Sequence, residues 1–546
     1  MTEQASTQRR WRAACPNCGA PLEFASAASA SAVCSFCRSS LLREGDALRK
    51  IGISAELLND YSPLQLGASG RYAGEPFTVV GRLQLGSGEA ESISAGNTWN
   101  EWHALFDSGR SAWLAEDNGQ FVISFEATLT ETVPQAHELV LGDQVLLAGQ
   151  SWQVSALSLS RVLAAQGELP HPPQMQTEFL IAELRNAQNE VGTLDYSGGP
   201  SPLWSLGRPV RFADMAMQGL RDAQDKTLAA RSLACPNCGA ALTPRLGNSL
   251  SIVCGQCRAV VDLSPADGEA LHHFAQATGA EAGHEPQIPL GRSGVLAAEG
   301  GRAPLSWQVV GYQERCDLPA PGSDDEQSFW REYLLFNQVE GFAFLVDTDE
   351  GWSLVRTLTG TPQGKGSQVQ WQGKSFKKRW SYEAKVTHVL GEFYWQVQRE
   401  QRAQVTDYEG ALGNPGVVLS REQTENEITW SLGRRLEASE VAKAFRLQAD
   451  QMAALSRDTP MLSLSGSDPH VLRNVLLSVF FLIMLLILLK SCAEDDCQSY
   501  KDNYGESSAE YAQCKRSGGP RVHSGGGYGG YGGSYGGSGS SGGGHK

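Results

Sequence analysis

Trp204-Ser205-Leu206-Gly207-Arg208 recurs letter for letter as Trp430-Ser431-Leu432-Gly433-Arg434. Upstream, Gly149-Gln150-Ser151-Trp152 matches Gly373-Lys374-Ser375-Phe376, and Gly167-Glu168 matches Gly391-Glu392. Further back, Glu101-Trp102 through Leu105-Phe106 answers Glu332-Tyr333 through Leu335-Phe336 with one residue of slippage. Thr78-Val79-Val80-Gly81 answers Gln308-Val309-Val310-Gly311, and Cys15-Pro16-Asn17-Cys18-Gly19-Ala20 returns as Cys235-Pro236-Asn237-Cys238-Gly239-Ala240. Every offset lies between 220 and 231, so the chain of 546 residues carries one unit twice.

The body of each unit is β-rich. Phe77–Leu83, Gln120–Phe125 and Glu138–Leu141 are short runs of β-branched, aromatic and aliphatic residues, punctuated by Asp107-Ser108-Gly109 and Glu116-Asp117-Asn118-Gly119. Tyr333–Phe336, Phe342–Val346 and Phe393–Val397 play the same part in the second copy. Short strands with turn signals and no helices between them predict a mainly β fold of two small domains, sandwich-like or barrel-like. After each Trp-Ser-Leu-Gly-Arg block the pattern turns helical, over Ala213–Ala230 and Glu440–Leu455. The expected organisation is a ribbon at 11–42, a β domain at 60–210, a helical connector at 211–231, a second ribbon at 232–262, a second β domain at 285–436, and a helical and polar linker at 437–470.

Eight of the twelve cysteines form CxxC pairs separated by fifteen residues: Cys15, Cys18, Cys34 and Cys37, then Cys235, Cys238, Cys254 and Cys257. Four soft thiolates from two tight turns suit a tetrahedral metal, so two structural zinc ions per chain are expected. Four protein ligands close the coordination shell, which argues against catalytic zinc. A thioredoxin-like redox pair would need a βαβ setting that is missing here. Proline after the first cysteine and glycine after the second favour a tight turn; the second turns carry Arg38 and Arg258 instead of that glycine, a departure from the ideal knuckle. Cys316 has no mate and reads as a buried free thiol.

Net charge of −15 argues against a protein that grips phosphate backbones, although Arg9, Arg10, Arg12, Arg38, Arg43, Arg49 and Lys50 make the first ribbon locally basic. No GxSxG, HExxH, GxxxxGK[ST] or GxGxxG opening a helix occurs, and the ten histidines are scattered. His103 has no histidine counterpart in the second copy, so no shared catalytic histidine is expected. Glu168 and Glu392, like Glu101 and Glu332, are duplicated carboxylates, read as making turn or inter-strand hydrogen bonds. Trp204 and Trp430 read as core anchors whose edges are covered by the following arginine.

Val475–Leu489 holds fifteen residues with one serine and no charge. Extended to 471–493 it predicts a single-pass transmembrane helix, with Arg473 and Lys490 reaching for head groups. Flanking charges do not set its orientation. Because the tandem units are made before any export signal, they are placed in the cytoplasm, with a short tail outside. That tail, 494–546, carries Cys497 and Cys514 and then Gly/Ser/Tyr repeats, and is expected to be disordered. Fifteen of the sixty glycines lie in the last thirty residues.

The run Leu64–Gly67 to Thr78–Arg82, then Trp99–Phe106, Trp113-Leu114 and the closing Trp-Ser-Leu-Gly-Arg block, resembles a bacterial family called domain of unknown function 4178. Its full-length members are similar in ribbon, membrane helix and Gly-rich tail. The resemblance brings no catalytic residues and hints at a role in envelope stress or near polyamine-synthase-like genes. The expected function is a non-catalytic, membrane-anchored zinc-binding adaptor at the inner membrane of a bacterium. Protein partners and the membrane are expected to bind it, and nucleic acid is not. A sensor for a cationic small molecule such as a polyamine is the alternative, and an enzyme ranks third.

Overall fold

The computed structural model describes residues 11–455, less 25–28, 45–46, 54–61, 88–97, 118–119, 176, 200, 222–232, 247–248, 264–270, 277–283, 298–302, 320–326, 339, 365, 398–399, 411–415, 449–450 and 453–454, and then residues 501–517 less 504. Two compact units result, 1–457 (with 540–546) and 458–539. Both sequence copies lie in the first.

Among the described residues each copy makes fifteen strands, so a strand's counterpart lies fifteen numbers on. The first copy has β1 (Trp11–Ala14), β2 (Pro21–Phe24), β3 (Ser31–Val33), β4 (Ser39–Glu44), β5 (Ala47–Ile53), β6 (Ser69–Tyr72), β7 (Glu75–Ser87) and β8 (Thr98–Phe106). It continues with β9 (Ser111–Asp117), β10 (Gln120–Ala127), β11 (Gln144–Leu147), β12 (Gln150–Leu169), β13 (Phe179–Arg185), β14 (Val191–Asp195) and β15 (Leu203–Val210). The second has β16 (Leu233–Ala234), β17 (Ala241–Leu242), β18 (Ser251–Val253), β19 (Val260–Asp262), β20 (His273–Phe274), β21 (Ser293–Leu296), β22 (Leu305–Leu318) and β23 (Phe329–Asn337). It ends with β24 (Gly341–Thr348), β25 (Gly351–Leu358), β26 (Gln368–Trp371), β27 (Lys374–Phe393), β28 (Arg402–Gly410), β29 (Val417–Gln423) and β30 (Ile428–Leu436).

Pairing runs β12-β13-β14-β15-β10-β9-β8-β7, and β7 then pairs with β12. The ring closes, giving an eight-stranded antiparallel barrel; β22 to β30 repeat it, with β27 closing on β22. Closure is the work of the twenty-residue strands β12 and β27. Pairing of β12 with β13 covers Gln153–Ser160 and pairing with β7 covers Arg161–Gly167, with bulges at Val154/Ala156 and Val162/Ala164 that bend it around the corner. Where β7 and β12 cross, a Cβ on Gly81 would collide with the Glu168 carbonyl and one on Gly167 (φ +72°) with the Val80 carbonyl. Gly311 and Gly391 repeat the crossing.

The ribbons are not separate from this sheet. β1 and β2 form a hairpin of their own, but β3 pairs with the end of β12 (Val33 opposite Gly167) and carries β4 and β5 with it. Trp204 packs edge-on against Trp152 at 5.4 Å in one core, and Trp430 lies 5.8 Å from Tyr408 in its counterpart, so both tryptophans are core anchors as expected. Their arginines are held by carboxylates. Arg208 turns to Glu190 (2.6 Å) and Arg434 to Glu440 (3.3 Å).

Several expectations need correcting. Of the helix expected over Ala213–Ala230 the described residues form one turn, α1 (Phe212–Met215), before Ala216 turns left-handed and Gln218 bonds back to Ser69; residues 222–230 lie outside the described residues. The second helix, α2 (Ala438–Phe445), stops where Arg446 does the same, and helix resumes at Gln451 and Met452 within the span expected at Glu440–Leu455. The apolar run expected as a strand at Glu138–Leu141 is not one: a single helical turn, Ala136–Glu138, leads into it and the strand lies at Gln144–Leu147. Residues 394–397 leave the barrel at the end of β27. The tail is not wholly without structure, since α3 (Ala509–Ser517) forms in the second unit. Among the described residues no helix is long and apolar enough to cross a membrane; the segment 471–493 lies outside them.

Candidate metal centres and a cleft in the first barrel

The eight expected cysteines come together in two groups of four, all sulfurs of a group lying within 4.8 Å of one another. Cys15 and Cys37 are 3.6 Å apart and Cys18 and Cys34 3.7 Å; Cys235 and Cys257 are 3.6 Å apart and Cys238 and Cys254 3.7 Å. Metal–sulfur bonds of about 2.3 Å in a tetrahedron require edges of about 3.8 Å, whereas a disulfide requires about 2.05 Å. The spacing fits a four-thiolate metal centre. The four thiols of each group share their protons: hydrogen bonding with Ser39 draws Cys37 down to about 5 and Asn237 draws Cys257 to about 6, while the sulfurs facing Cys18 and Cys238 push those thiols up.

The knuckles are more regular than their sequences suggest. Gly19 and Gly239 adopt φ of +74° and +75°, and Arg38 and Arg258 adopt +56° and +57° at the matching place. Gly19 donates to the Cys15 carbonyl as Arg38 donates to the Cys34 carbonyl, so the same turn forms without glycine.

Glu168 and Glu392, expected to make turn or inter-strand bonds, hold the ribbons to the barrels. Glu168 accepts the Ser29 hydroxyl at 2.6 Å. Glu392 accepts the amides of Arg245 and Leu246 at 2.9 Å and the Ser249 hydroxyl at 2.8 Å. Cys316 is buried, as expected, and lies 3.1 Å from the Gln327 amide nitrogen.

The first barrel opens at one end into a cleft of about 400 Å³ lined by Arg110, Ser111, Trp113, Phe125, Glu126, Pro170 and His171. His171 and Glu126 pair at 2.7 Å, a bond that pulls the Glu126 carboxyl down and pushes the His171 imidazole up. Behind them His103 is buried, which lowers its affinity for a proton. Its Nδ1 lies 2.8 Å from the Glu168 carbonyl and its Nε2 2.9 Å from Ser111 Oγ. A carbonyl only accepts, so Nδ1 carries the hydrogen and Nε2 accepts the Ser111 hydroxyl.

The pairing registers give the second barrel's counterparts. Gly81 faces His103 and Gly311 faces Leu334, so the offset is 231 through the whole of β8 and β23, without slippage. Leu334 then stands for His103, Phe342 for Ser111, Phe344 for Trp113 and Thr357 for Glu126. Tyr394 and Trp395 stand for Pro170 and His171. Phe342 and Tyr394 pack at 4.4 Å, and Trp395 lies 6.1 Å from Phe344. Aromatic rings occupy in the second barrel what is a polar cleft in the first.

Deeper in, Glu101 of β8 feels the charges of Glu183 and Asp195 on β13 and β14. β8 pairs with neither strand, so the repulsion acts across the barrel interior. Burial and these two charges hold the Glu101 carboxyl up to about 7; burial also raises Asp195. In the second barrel Glu332 and Glu422 occupy the places of Glu101 and Asp195, and Arg315 the place of Leu85. Arg315 joins the two carboxylates at 3.4 and 3.1 Å, all but buried. Burial opposes its charge, and Glu422 and Glu332 more than offset that.

The sequence singles out His103, Glu101 and Glu168 and misses Ser111, Glu126, His171 and Asp195; the signal for the first three of these is that Phe342, Thr357 and Trp395 replace them in an otherwise repeated body, whereas Asp195 keeps a carboxylate counterpart in Glu422. Comparison with curated proteins and with solved structures finds no match to this chain. The family described as Domain of unknown function (DUF4178) matches residues 65–212 and 305–438, one span for each barrel and together just over half of the chain. The chain belongs to that family, in tandem duplicate.

Proposed function

We propose that the chain is a membrane-anchored, zinc-binding adaptor whose first barrel also takes a small ligand, while the second supports it. Residues 471–493 tether it to a bacterial inner membrane with the barrels on the cytoplasmic side, where tethering raises the effective concentration for protein partners. The observation that carries the ligand reading is the cleft itself: one copy keeps about 400 Å³ of mixed polar and aromatic lining where the other is packed with rings. Core packing alone does not call for that difference. The double variant Ser111→Phe, Pro170→Tyr copies the second barrel's plug onto the first. A fragment screen by crystallography or NMR is expected to find ligands at this cleft in the native chain and none in the variant; equal occupancy in both overturns the reading. Two zinc ions per chain are expected in freshly purified reduced protein, and finding no metal removes the zinc. Membrane fractionation is expected to hold the full chain and release one ending at Asp468.

A second reading, acyl transfer at Ser111, is favoured by the fixed tautomer of His103. Ser111 Oγ would attack an ester carbonyl as its proton passes to His103 Nε2, the alcohol would leave with that proton, and water would return the acid and the free serine. A fluorophosphonate probe should then label Ser111 and not Ser111→Ala. An unlabelled native chain ends this reading.

A further inference from the structure

We infer that the carboxylates Glu101 and Asp195 of the first barrel form a binding site for an organic cation, an alkylguanidinium or alkylammonium group. This rests on the reading of the cleft as a ligand entrance and names the ligand's class. The argument comes from the second barrel, where the same two positions are seen at work. There Glu332 and Glu422 hold a guanidinium between them, contributed by Arg315. Trp330 donates its indole N–H to Glu332 at 2.8 Å, and the Arg315 guanidinium lies 5.7 Å from the Trp330 ring. The first barrel keeps the two carboxylates and the indole of this cradle, but neither the cation nor Gln313, whose amide donates to Glu332 at 2.5 Å and whose place Leu83 takes. Glu101 and Asp195 are the two carboxylates, and Trp99 replaces Trp330 and donates to Glu101 at 3.4 Å. Leu85 stands where Arg315 stands, so no cation is supplied from that position. Among the described residues no ion pair reaches Glu101 or Asp195.

The space around the site differs in the same sense. Ser158 takes the place of Tyr382, whose hydroxyl bonds Asp407 at 2.8 Å in the second barrel; Glu183 is the counterpart of Asp407. A phenol has become a hydroxymethyl group, and an arginine a leucine, on the walls of one interior. Glu101, Asp195, Trp99 and Trp113 are half-buried rather than sealed. The charges facing this interior are Glu101, Asp195, Glu183 and Glu126 against His171 and Arg185, and Arg185 is engaged with Glu183 at 3.0 Å. The balance is negative. At the mouth, Arg110 is directed to Glu75 at 3.3 Å and lies over Phe125 at 4.5 Å, leaving the carboxylates to the entering cation.

The test uses the full chain with its metals. Butylguanidinium and its neutral isostere butylurea are titrated by calorimetry at pH 8, where Glu101 is ionised. One butylguanidinium per chain is expected, with butylurea at least tenfold weaker. Glu101→Gln should weaken binding at least tenfold. Leu85→Arg supplies the cation from within and should abolish binding while raising the melting temperature, which shows that the variant folds. Absence of butylguanidinium binding, or its persistence in Leu85→Arg, overturns the inference. Equal binding of the two probes also overturns it, yet leaves the cleft as a ligand site standing.

Discussion

The two barrels share topology, register and four-cysteine ribbons, and they part company in what fills them. The second is finished: Arg315 neutralises Glu332 and Glu422, and Phe342, Phe344, Tyr394 and Trp395 fill the mouth. The first is unfinished by the same standard, with two mutually repelling carboxylates below an open polar mouth. A duplicated fold that keeps a strained interior in one copy and relieves it in the other separates the residues needed for folding from those that are not. Carboxylates facing each other without a cation cost stability; Asp195 has a structural role besides, accepting the Ser197 amide at 2.7 Å, whereas Glu101 has, among the described residues, only the Trp99 indole.

The comparison breaks most violently at Arg315. Arg315→Leu imports the first barrel's situation into the second and leaves Glu332 and Glu422 buried without their cation. We expect a loss of about 3–5 kcal/mol, read as faster hydrogen exchange in β22 and β23 with β7 and β8 unaffected. Next is Phe342→Ser, which carries Ser111 across. Removing a buried ring at the barrel rim should cost about 3 kcal/mol and open a cavity detectable by xenon binding.

Glu101 sharpens the comparison through pH. Its folded pKa is raised from 4.5 to about 7, so ionisation is penalised in the native state. The native state is therefore least burdened below pH 4.5, and stability drains away as pH rises toward 7 and stays lower above it. Glu101→Gln should stabilise the first barrel at pH 8 by roughly 1–2 kcal/mol, allowing for solvent screening, and do nothing at pH 4. Glu332→Gln removes one arm of the Arg315 bridge and should destabilise the second barrel at pH 8. The smallest effect tests where the copies agree. Arg38→Gly and Arg258→Gly relieve a left-handed backbone and should each add about 0.5–1 kcal/mol to metal-loaded protein, measured by resistance to chelator.

Much of this was legible in the residues. The repeated cysteine spacing led to both metal centres, and the repeated blocks to two β domains. What escaped has physical reasons. Closure into a barrel depends on β12 and β27 serving two partners each, and a bulged strand rich in serine and alanine, such as Ser155–Gln166, has no clean alternation to betray it. The apparent slippage between Leu105-Phe106 and Leu335-Phe336 was a coincidence of letters; the backbone register runs on unbroken. The relation of Leu85 to Arg315 is a single exchange in strands that share few letters, and only the pairing of each with its own β12 or β27 aligns them. Asp195 was passed over because its partner Glu101 lies far away in the chain and is met only across the interior.

The ribbon's place in the sheet has a consequence for the order in which the protein can be made. Ser29 must wait for Glu168, 139 residues later, before the clasp between them can shut. A nascent chain therefore carries the first ribbon with the flank of β3 bare until β12 has emerged. The converse holds for anyone cutting the chain. Trimming away the ribbon and its flanking strands, residues 11–53, would strip β3, β4 and β5 from the sheet and turn the last pleats of β12 into a raw edge, an invitation to stick to its own kind. The segments that look like detachable zinc modules are the selvedge of the barrels.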